Sequence, residues 1–292
     1  MTVEISSRVP VRTRSDGSFS VKSVDLGALR QSVSPLLVVD DFRVRGQPFG
    51  PHPHAGFAAV TYVFEDSSAS LRSRDSLGHD LVVGPGGMVW SHAGKGMLHE
   101  ELPADLRQEL HGLQFFVNLQ ARNKVSPAHV FQLLPHEVPV WTDEHGTRVR
   151  VVVGSFRDRL SPLVPPEPFT LLDVNLASDL PLESVDGYSY VVYVIEGSAR
   201  VRADHASRNL VAGEAVAFQG TGSVTLSVRH KAHLLILSGR RIDEPVVFRG
   251  PFAMNTQQQI ADAFARFESG SMGHLAPYPL PLTSRTPTPE SP

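Results

Sequence analysis

The sequence predicts an all-β protein in which a small antiparallel β-barrel occurs twice in one chain, followed by a single short helix. Three observations predict it. Short strand-like runs recur at even spacing and are punctuated by glycine, the pattern of an antiparallel sandwich or barrel. The second half repeats the first at the scale of a domain. Helical periodicity is almost absent until the stretch that follows Asn255.

Residues 18–24 and 36–42 read as the first strands, the second ending in Asp40-Asp41-Phe42. A turn-rich approach, 46–51, leads to His52-Pro53-His54. Pro51 and Pro53 each remove a backbone donor, so this strand must be an edge or a strand start. They also fix φ on both sides of His52. Further strands follow over 60–64, 69–74, 80–83 and 88–90, with turns at 65–68, 75–78 and 84–87. Residues 97–101, entered through Gly94-Lys95-Gly96, and the apolar run 114–120 complete the first barrel. The link at 120–124 is polar and turn-rich. The expected organisation is a first barrel at 1–125, a second at 126–275 and a Pro-, Ser- and Thr-rich tail at 276–292, expected to be disordered.

In the repeat, 59–66 aligns with 190–197 and 81–88 with 209–216. Near the end, Asn255-Thr256 offers an N-cap, and Ile260, Ala263, Phe264 and Phe267 follow helical spacing up to a stop at Gly270.

Composition narrows the function. The chain has 292 residues, 41% of them apolar, and a formal net charge of −3. No basic stripe stands out, so nucleic-acid binding through phosphate neutralisation is not expected. There is no cysteine, which excludes disulfides, thiolate metal ligands, iron–sulfur clusters and a cysteine nucleophile. Residues 1–15 lack the apolar core of a signal peptide. No run approaches the roughly 18 apolar residues that span a bilayer. The expectation is a soluble cytoplasmic protein without a membrane partner.

Two motifs carry the chemistry. A strand places residues i and i+2 on one side, so His52 and His54 aim at one spot, and His99 and Glu101 aim at it from another strand. Three imidazoles and one carboxylate suit a first-row divalent metal such as iron, nickel, copper, manganese or zinc. Four protein ligands leave positions open for water, oxygen or a chelating substrate. The imidazoles must be neutral to bind, so metal affinity is expected to fall below about pH 6. The second half is degenerate here: Gly187-Tyr188-Ser189 stands in the place of His52 and His54, and the region near Val228-Arg229-His230 in that of His99 and Glu101. His230 and His233 are three apart and fall on opposite faces of a strand. The second barrel is therefore expected to be structural, covering a face of the first or packing against it as the two halves of a dimer would.

Other candidates are weaker. His92, near the second motif, fits a solvated turn better than a supporting role at the site. His79, His111, His136, His145, His205, His230, His233 and His274 carry no spacing argument and are expected to be structural or exposed. Phe57, Trp90 and Met97 suit either a pocket wall or a packed core. Asp75 and Asp80 fit a hydrogen-bonded turn better than an acid–base pair. Lys95 lies between glycines, but no helix follows and no phosphate-loop pattern is present.

His52-Pro53-His54-Ala55-Gly56-Phe57, Thr61-Tyr62, Gly94-Lys95-Gly96-Met97-Leu98-His99-Glu100-Glu101 and Gly250-Pro251-Phe252-Ala253-Met254-Asn255-Thr256 together resemble the pirin family of the cupin superfamily. The resemblance runs from about residue 10 to about 275. It implies two jelly-roll cupin barrels in one chain, with a metal in the N-terminal barrel held by His52, His54, His99 and Glu101. It implies iron, as Fe(II), with nickel, copper, manganese, cobalt or zinc as alternatives. The activity it implies is a quercetin 2,3-dioxygenase, taking a flavonol and O2, with Glu101 leaving the metal to accept the flavonol's hydroxyl proton. The alternative is a non-catalytic, metal- and redox-sensing regulator that binds a protein partner, and a metal-dependent isomerase is a weaker third. Ala55 and Glu100 depart from the family's usual residues, and both point away from the metal on an alternating strand.

Overall fold

The structure, a computed structural model, describes residues 2–29 and 31–279. The tail expected to be disordered lies outside the described residues from 280 onward. Its first residues are bonded to the first barrel, Ala276 to Arg74 and Tyr278 to Glu100. Among the described residues no helix is long and apolar enough to cross a membrane.

Each half is a pair of facing antiparallel sheets rather than a closed ring of strands. In the first half a seven-stranded sheet runs in the order His129–Leu133, Met88–His92, Phe57–Val63, Leu110–Asn118, Leu36–Val44, Phe19–Ser23, Arg12–Ser15. It faces a four-stranded sheet in the order His52–His54, Met97–Pro103, Leu71–Asp75, Asp80–Val83. The Pro-flanked strand is an edge, as the missing backbone donors require. The second half repeats the plan with an eight-stranded sheet centred on Tyr188–Glu196 and Ala232–Arg240, and a four-stranded sheet in the order Leu180–Ser184, Gly222–Ser227, Ser198–Ala203, Ala206–Val211.

Sheet membership does not follow chain order strictly. The N-terminal strands Glu4–Ile5 and Val9–Pro10 pair with Glu214–Gln219 of the second half. His129–Leu133 pairs with Met88–His92 of the first. These short strands cover sheet edges whose backbone groups would otherwise be open to other chains.

The large sheets pack face to face, with Val60, Trp90 and Phe115 of the first half against Phe169, Leu171 and Leu237 of the second. Each such side chain contributes roughly 1.5–3 kcal/mol when fully buried. Trp90 is wholly buried in this shared core, 6.0 Å from the Phe169 ring. It is thus core and not pocket wall. The second half does cover a face of the first.

Sheet order also corrects where the second half's counterparts of the two motifs lie. The strands equivalent to His52–His54 and Met97–Pro103 are Leu180–Ser184 and Gly222–Ser227. Leu180, Val224 and Leu226 are buried there and fill the space with hydrocarbon. The second barrel has a packed interior in place of ligands.

The helix Gln257–Glu268 is held by a capping box: Thr256 Oγ1 accepts from the Gln259 backbone, and the Gln259 side chain accepts from Thr256 N. Gly270, at φ +73°, ends it. Its buried Ile260 and Ala263 pack with Phe252 and Ala55, directly after His54. Gly56 stands where the strand Phe252–Met254 crosses. Its φ is +85°, and a Cβ there would meet the Ala253 carbonyl oxygen at 1.9 Å, so only glycine fits.

Candidate metal centre

The edge strand His52–His54 pairs antiparallel with Met97–Pro103, placing His52 directly opposite His99 and His54 opposite Met97. The ligand nitrogens of His52, His54 and His99 all lie within 4.8 Å of one another. His52 Nε2 and His99 Nε2 are 3.1 Å apart. Two ligands about 2.1 Å from one cation and about 90° apart would stand about 3 Å from each other, so this spacing suits a shared ion. Among the described residues, these three side chains form the cluster whose ligand atoms converge in this way.

His54 and His99 are buried, at 5% and 1% exposure. Both ring nitrogens of His54 and Nδ1 of His99 lack a hydrogen-bond partner. Leaving such a nitrogen buried and unpaired costs about 1–3 kcal/mol, and a cation held at the facing Nε2 atoms of His52 and His99 would relieve that cost at the one nitrogen of His54 that reaches it. Burial and the neighbouring His52 push the His54 pKa down to about 3. Burial and the two neighbouring rings push His99 far down as well. Both rings are therefore neutral at pH 7, as metal ligands must be. His52 Nδ1 lies 2.9 Å from the Gly50 carbonyl. A carbonyl can only accept, so Nδ1 carries the proton and Nε2 presents its lone pair to the other rings. The three imidazoles fit a divalent cation.

Glu101 lies on the same strand as His99, two residues on, and lines the pocket above the rings. Its carboxylate accepts from Thr61 Oγ1 at 2.5 Å. Burial, opposed by hydrogen bonds from Thr61 and Ser73, lifts its pKa to about 7. The tight cluster itself consists of the imidazoles alone.

A pocket of about 640 Å³ opens over His52 and Glu101. Phe19, Val21, Phe42 and Phe49 give it apolar walls, while Arg14, Asp40 and Gln114 supply polar groups. Its size and mixed lining are those of a small-molecule site. Behind the imidazoles, the Phe57 and Phe116 rings lie 5.0 and 5.4 Å from that of His54. Phe57 is thus a wall of the site. Sequence alternation does not mark Phe116, because it shares its strand face with the polar Gln114 and Asn118.

His92 corrects the expectation of a solvated turn. It is 1% exposed, stacks on His129 at 4.4 Å and shares a hydrogen bond with Ser126 Oγ at 2.9 Å. Asp75 takes the expected turn role, accepting from the backbone N–H groups of Leu77 and His79. Asp80 is paired with Arg72. Nothing in the sequence pattern marks Lys124. The link contains one helical turn, Ala121–Lys124, and buries this lysine completely. Its ammonium donates to the carbonyls of Gly56 at 2.7 Å and Ala253 at 2.6 Å, and to the Asn118 side chain. It thereby ties the backbone that follows His54 to the strand Phe252–Met254.

Comparison with known proteins identifies the family and the fold. A family model described as Pirin matches residues 18–117, and one described as Pirin C-terminal cupin domain matches residues 171–273. A pirin-like protein of Caulobacter vibrioides is 34% identical over 227 residues, covering 76% of this chain and 79% of the relative. Pirin of Homo sapiens is 29% identical over 251 residues, covering 83% of this chain and 84% of the relative. The crystal structure of quercetin 2,3-dioxygenase from Acinetobacter baumannii superposes with a TM-score of 0.82 at 25% identity, over 94% of this chain and 99% of that one.

Proposed function

The chain belongs to the pirin family, two cupin domains in tandem, and from that premise we propose that it is a metal-dependent dioxygenase cleaving flavonols such as quercetin. The observation that carries the reading is the convergence of the ligand nitrogens of His52, His54 and His99 within 4.8 Å of one another, beside a pocket of about 640 Å³. We assign His52, His54, His99 and Glu101 as ligands of one divalent cation. Iron(II) is the first choice, and nickel, copper, manganese, cobalt or zinc would suit the same donors. The likeness to the Acinetobacter baumannii dioxygenase supports the choice of substrate.

When bound, the cation would act as a Lewis acid toward a chelating hydroxyl and carbonyl pair and lower the hydroxyl's pKa. The chain's own residues do the rest. Phe19, Phe42 and Phe49 enclose the fused rings, and Gln114 and Arg14 face their polar edges. Phe57 and Phe116 keep water from the far side of His54. Glu101 accepts the hydroxyl proton, and the Thr61 hydroxyl, which donates to the carboxylate, steadies it. In the net reaction both atoms of O2 enter the substrate and carbon monoxide leaves. A cysteine-free chain suits the reducing cytoplasm.

The test is to load the protein with iron without air, add quercetin and then admit oxygen. Loss of the flavonol's visible absorption with release of carbon monoxide is expected, and His54→Ala should abolish both. Absence of turnover with each of the six metals would overturn the dioxygenase reading. A metal-controlled regulator that binds a protein partner would then take its place.

A further inference from the structure

Glu100 lies between two proposed ligands on the strand Met97–Pro103, and its side chain points the opposite way, out of the sheet. It is nevertheless fully buried, at 0% exposure. What buries it is the chain's own C-terminal segment. The Glu100 carboxylate accepts from Arg74 Nη1 at 2.8 Å and from the Tyr278 backbone N–H at 2.9 Å. Arg74 also donates to the Ala276 carbonyl at 3.1 Å. The Tyr278 ring lies beneath Arg72 and Arg74, with guanidinium carbons 4.7 and 5.6 Å from its centroid.

The same carboxylate accepts a hydrogen bond from the Gln47 side chain. Gln47 is the second residue of the loop 46–51, whose residues Pro48, Phe49, Gly50 and Pro51 line the pocket. Within that loop the Phe49 ring meets Phe19 at 5.5 Å, and the Gly50 carbonyl fixes the His52 imidazole through Nδ1 at 2.9 Å. Hydrogen bonds therefore join Tyr278 to Glu100 and Glu100 to Gln47, and the loop backbone carries the connection on to Gly50, which holds the ring of His52. A buried carboxylate needs all its donors, so the loop and the C-terminal segment are ordered together.

We propose that Glu100 is a positioning residue that uses residues 276–278 as a strap, holding the loop 46–51 and the His52 ring in place. Its consequence for the metal rests on the reading of the site given above. Its consequence for the loop does not.

The test compares four proteins: the full chain, Glu100→Gln, a chain ending at Leu275 and a chain ending at Pro279. Amide hydrogen exchange over 46–51 is measured without metal. Copper(II) affinity and the copper electron paramagnetic resonance spectrum are measured after loading. In Glu100→Gln and in the chain ending at Leu275, exchange should rise and copper affinity fall, each by about tenfold, with an altered spectrum. The chain ending at Pro279 should match the full chain. If either variant fails to fold, Tyr278→Ala replaces it, since it keeps the backbone N–H but removes the ring beneath Arg72 and Arg74. Unchanged exchange over 46–51 in a folded protein lacking the strap would overturn the proposal. Failure of the full chain to bind copper would instead overturn the metal reading, and the exchange result would still decide on the strap.

Discussion

The Tyr62 hydroxyl donates to the Asp173 carboxylate at 2.6 Å, across the boundary between the two halves. The repeat returns the bond: Tyr193 donates to Asp41 at 2.8 Å in the opposite direction. Register makes the two equivalent. Leu113 faces Asp41 on one side and Tyr62 on the other, and Leu235 faces Asp173 and Tyr193. A histidine completes each set, His111 with Asp41 at 3.1 Å and His233 with Asp173 at 2.6 Å. Both aspartates are buried, at 3% and 1% exposure. Each half thus supplies a phenol that the other half's buried carboxylate needs, which fixes how the two large sheets dock.

Tyr62→Phe leaves Asp173 with His233 alone inside the interface. The loss should be about 1.5–3 kcal/mol, the range for a hydrogen bond to a charged group, and Tyr193→Phe should cost the same. Urea unfolding measures both. Metal affinity should stay as it is, because neither tyrosine touches the imidazole cluster. A change in affinity without a change in stability would contradict this division of labour.

Two histidines, His92 buried and His233 half-buried, should give stability opposite dependences on pH. Burial works against a charge on His233, but the Asp173 carboxylate outweighs it and raises the pKa. Its contribution is complete below the unfolded value of about 6.5 and is lost as pH rises through the higher folded value. His92 is the reverse, since burial and then His129 push its pKa down to about 4. Its unfolded form takes up a proton first, so stability is lost as pH falls from about 6.5 toward 4, by up to about 1.4 kcal/mol per unit. Unfolding free energies are followed from about pH 4 to about pH 8: the gap between His233→Gln and the parent should narrow as pH rises above about 6.5, whereas the gap between His92→Gln and the parent should change only as pH falls below about 6.5. Parallel curves would refute the assignment.

Glu101→Gln tests the acid–base role when it is compared at equal metal content, since the same carboxylate is a proposed ligand. The amide keeps the volume and can still accept from Thr61, but it cannot take a proton. Turnover should fall by about a hundredfold or more, whereas quercetin binding, followed by fluorescence quenching, should persist. Retained turnover would remove Glu101 from the mechanism.

The site is readable because its two motifs sit on strands, where alternation by two tells which side chains share a face. His52, His54 and His99 converge for that reason. The same rule shows nothing about what lies across a sheet or across a repeat. Glu100 reads as an outward residue, which it is, yet the segment that buries it arrives from the far end of the chain. His111 and His233 have no local pattern, because their partners sit 70 and 60 residues away in sequence. Aligning the halves by sequence misplaces the second half's counterparts of the motifs for a related reason: once apolar residues replace ligands, any buried strand looks alike.

Lys124 is the clearest case of a residue whose role sequence conceals. It stands in a polar link but is wholly buried, and its pKa, lowered by burial to about 8, leaves it charged at pH 7. That charge is satisfied by two backbone carbonyls and an amide oxygen. Lys124→Met keeps the length of the side chain and strands those acceptors, so a loss of about 3 kcal/mol or more is expected in urea unfolding. Gly56 is two residues beyond His54, and its carbonyl is one of the groups released. Metal affinity, measured by chelator competition on protein that remains folded, should therefore fall about tenfold. An unchanged affinity in a destabilised but folded protein would mean that the clamp serves the fold alone, and that His54 is held by its pairing with Met97 and by the rings of Phe57 and Phe116.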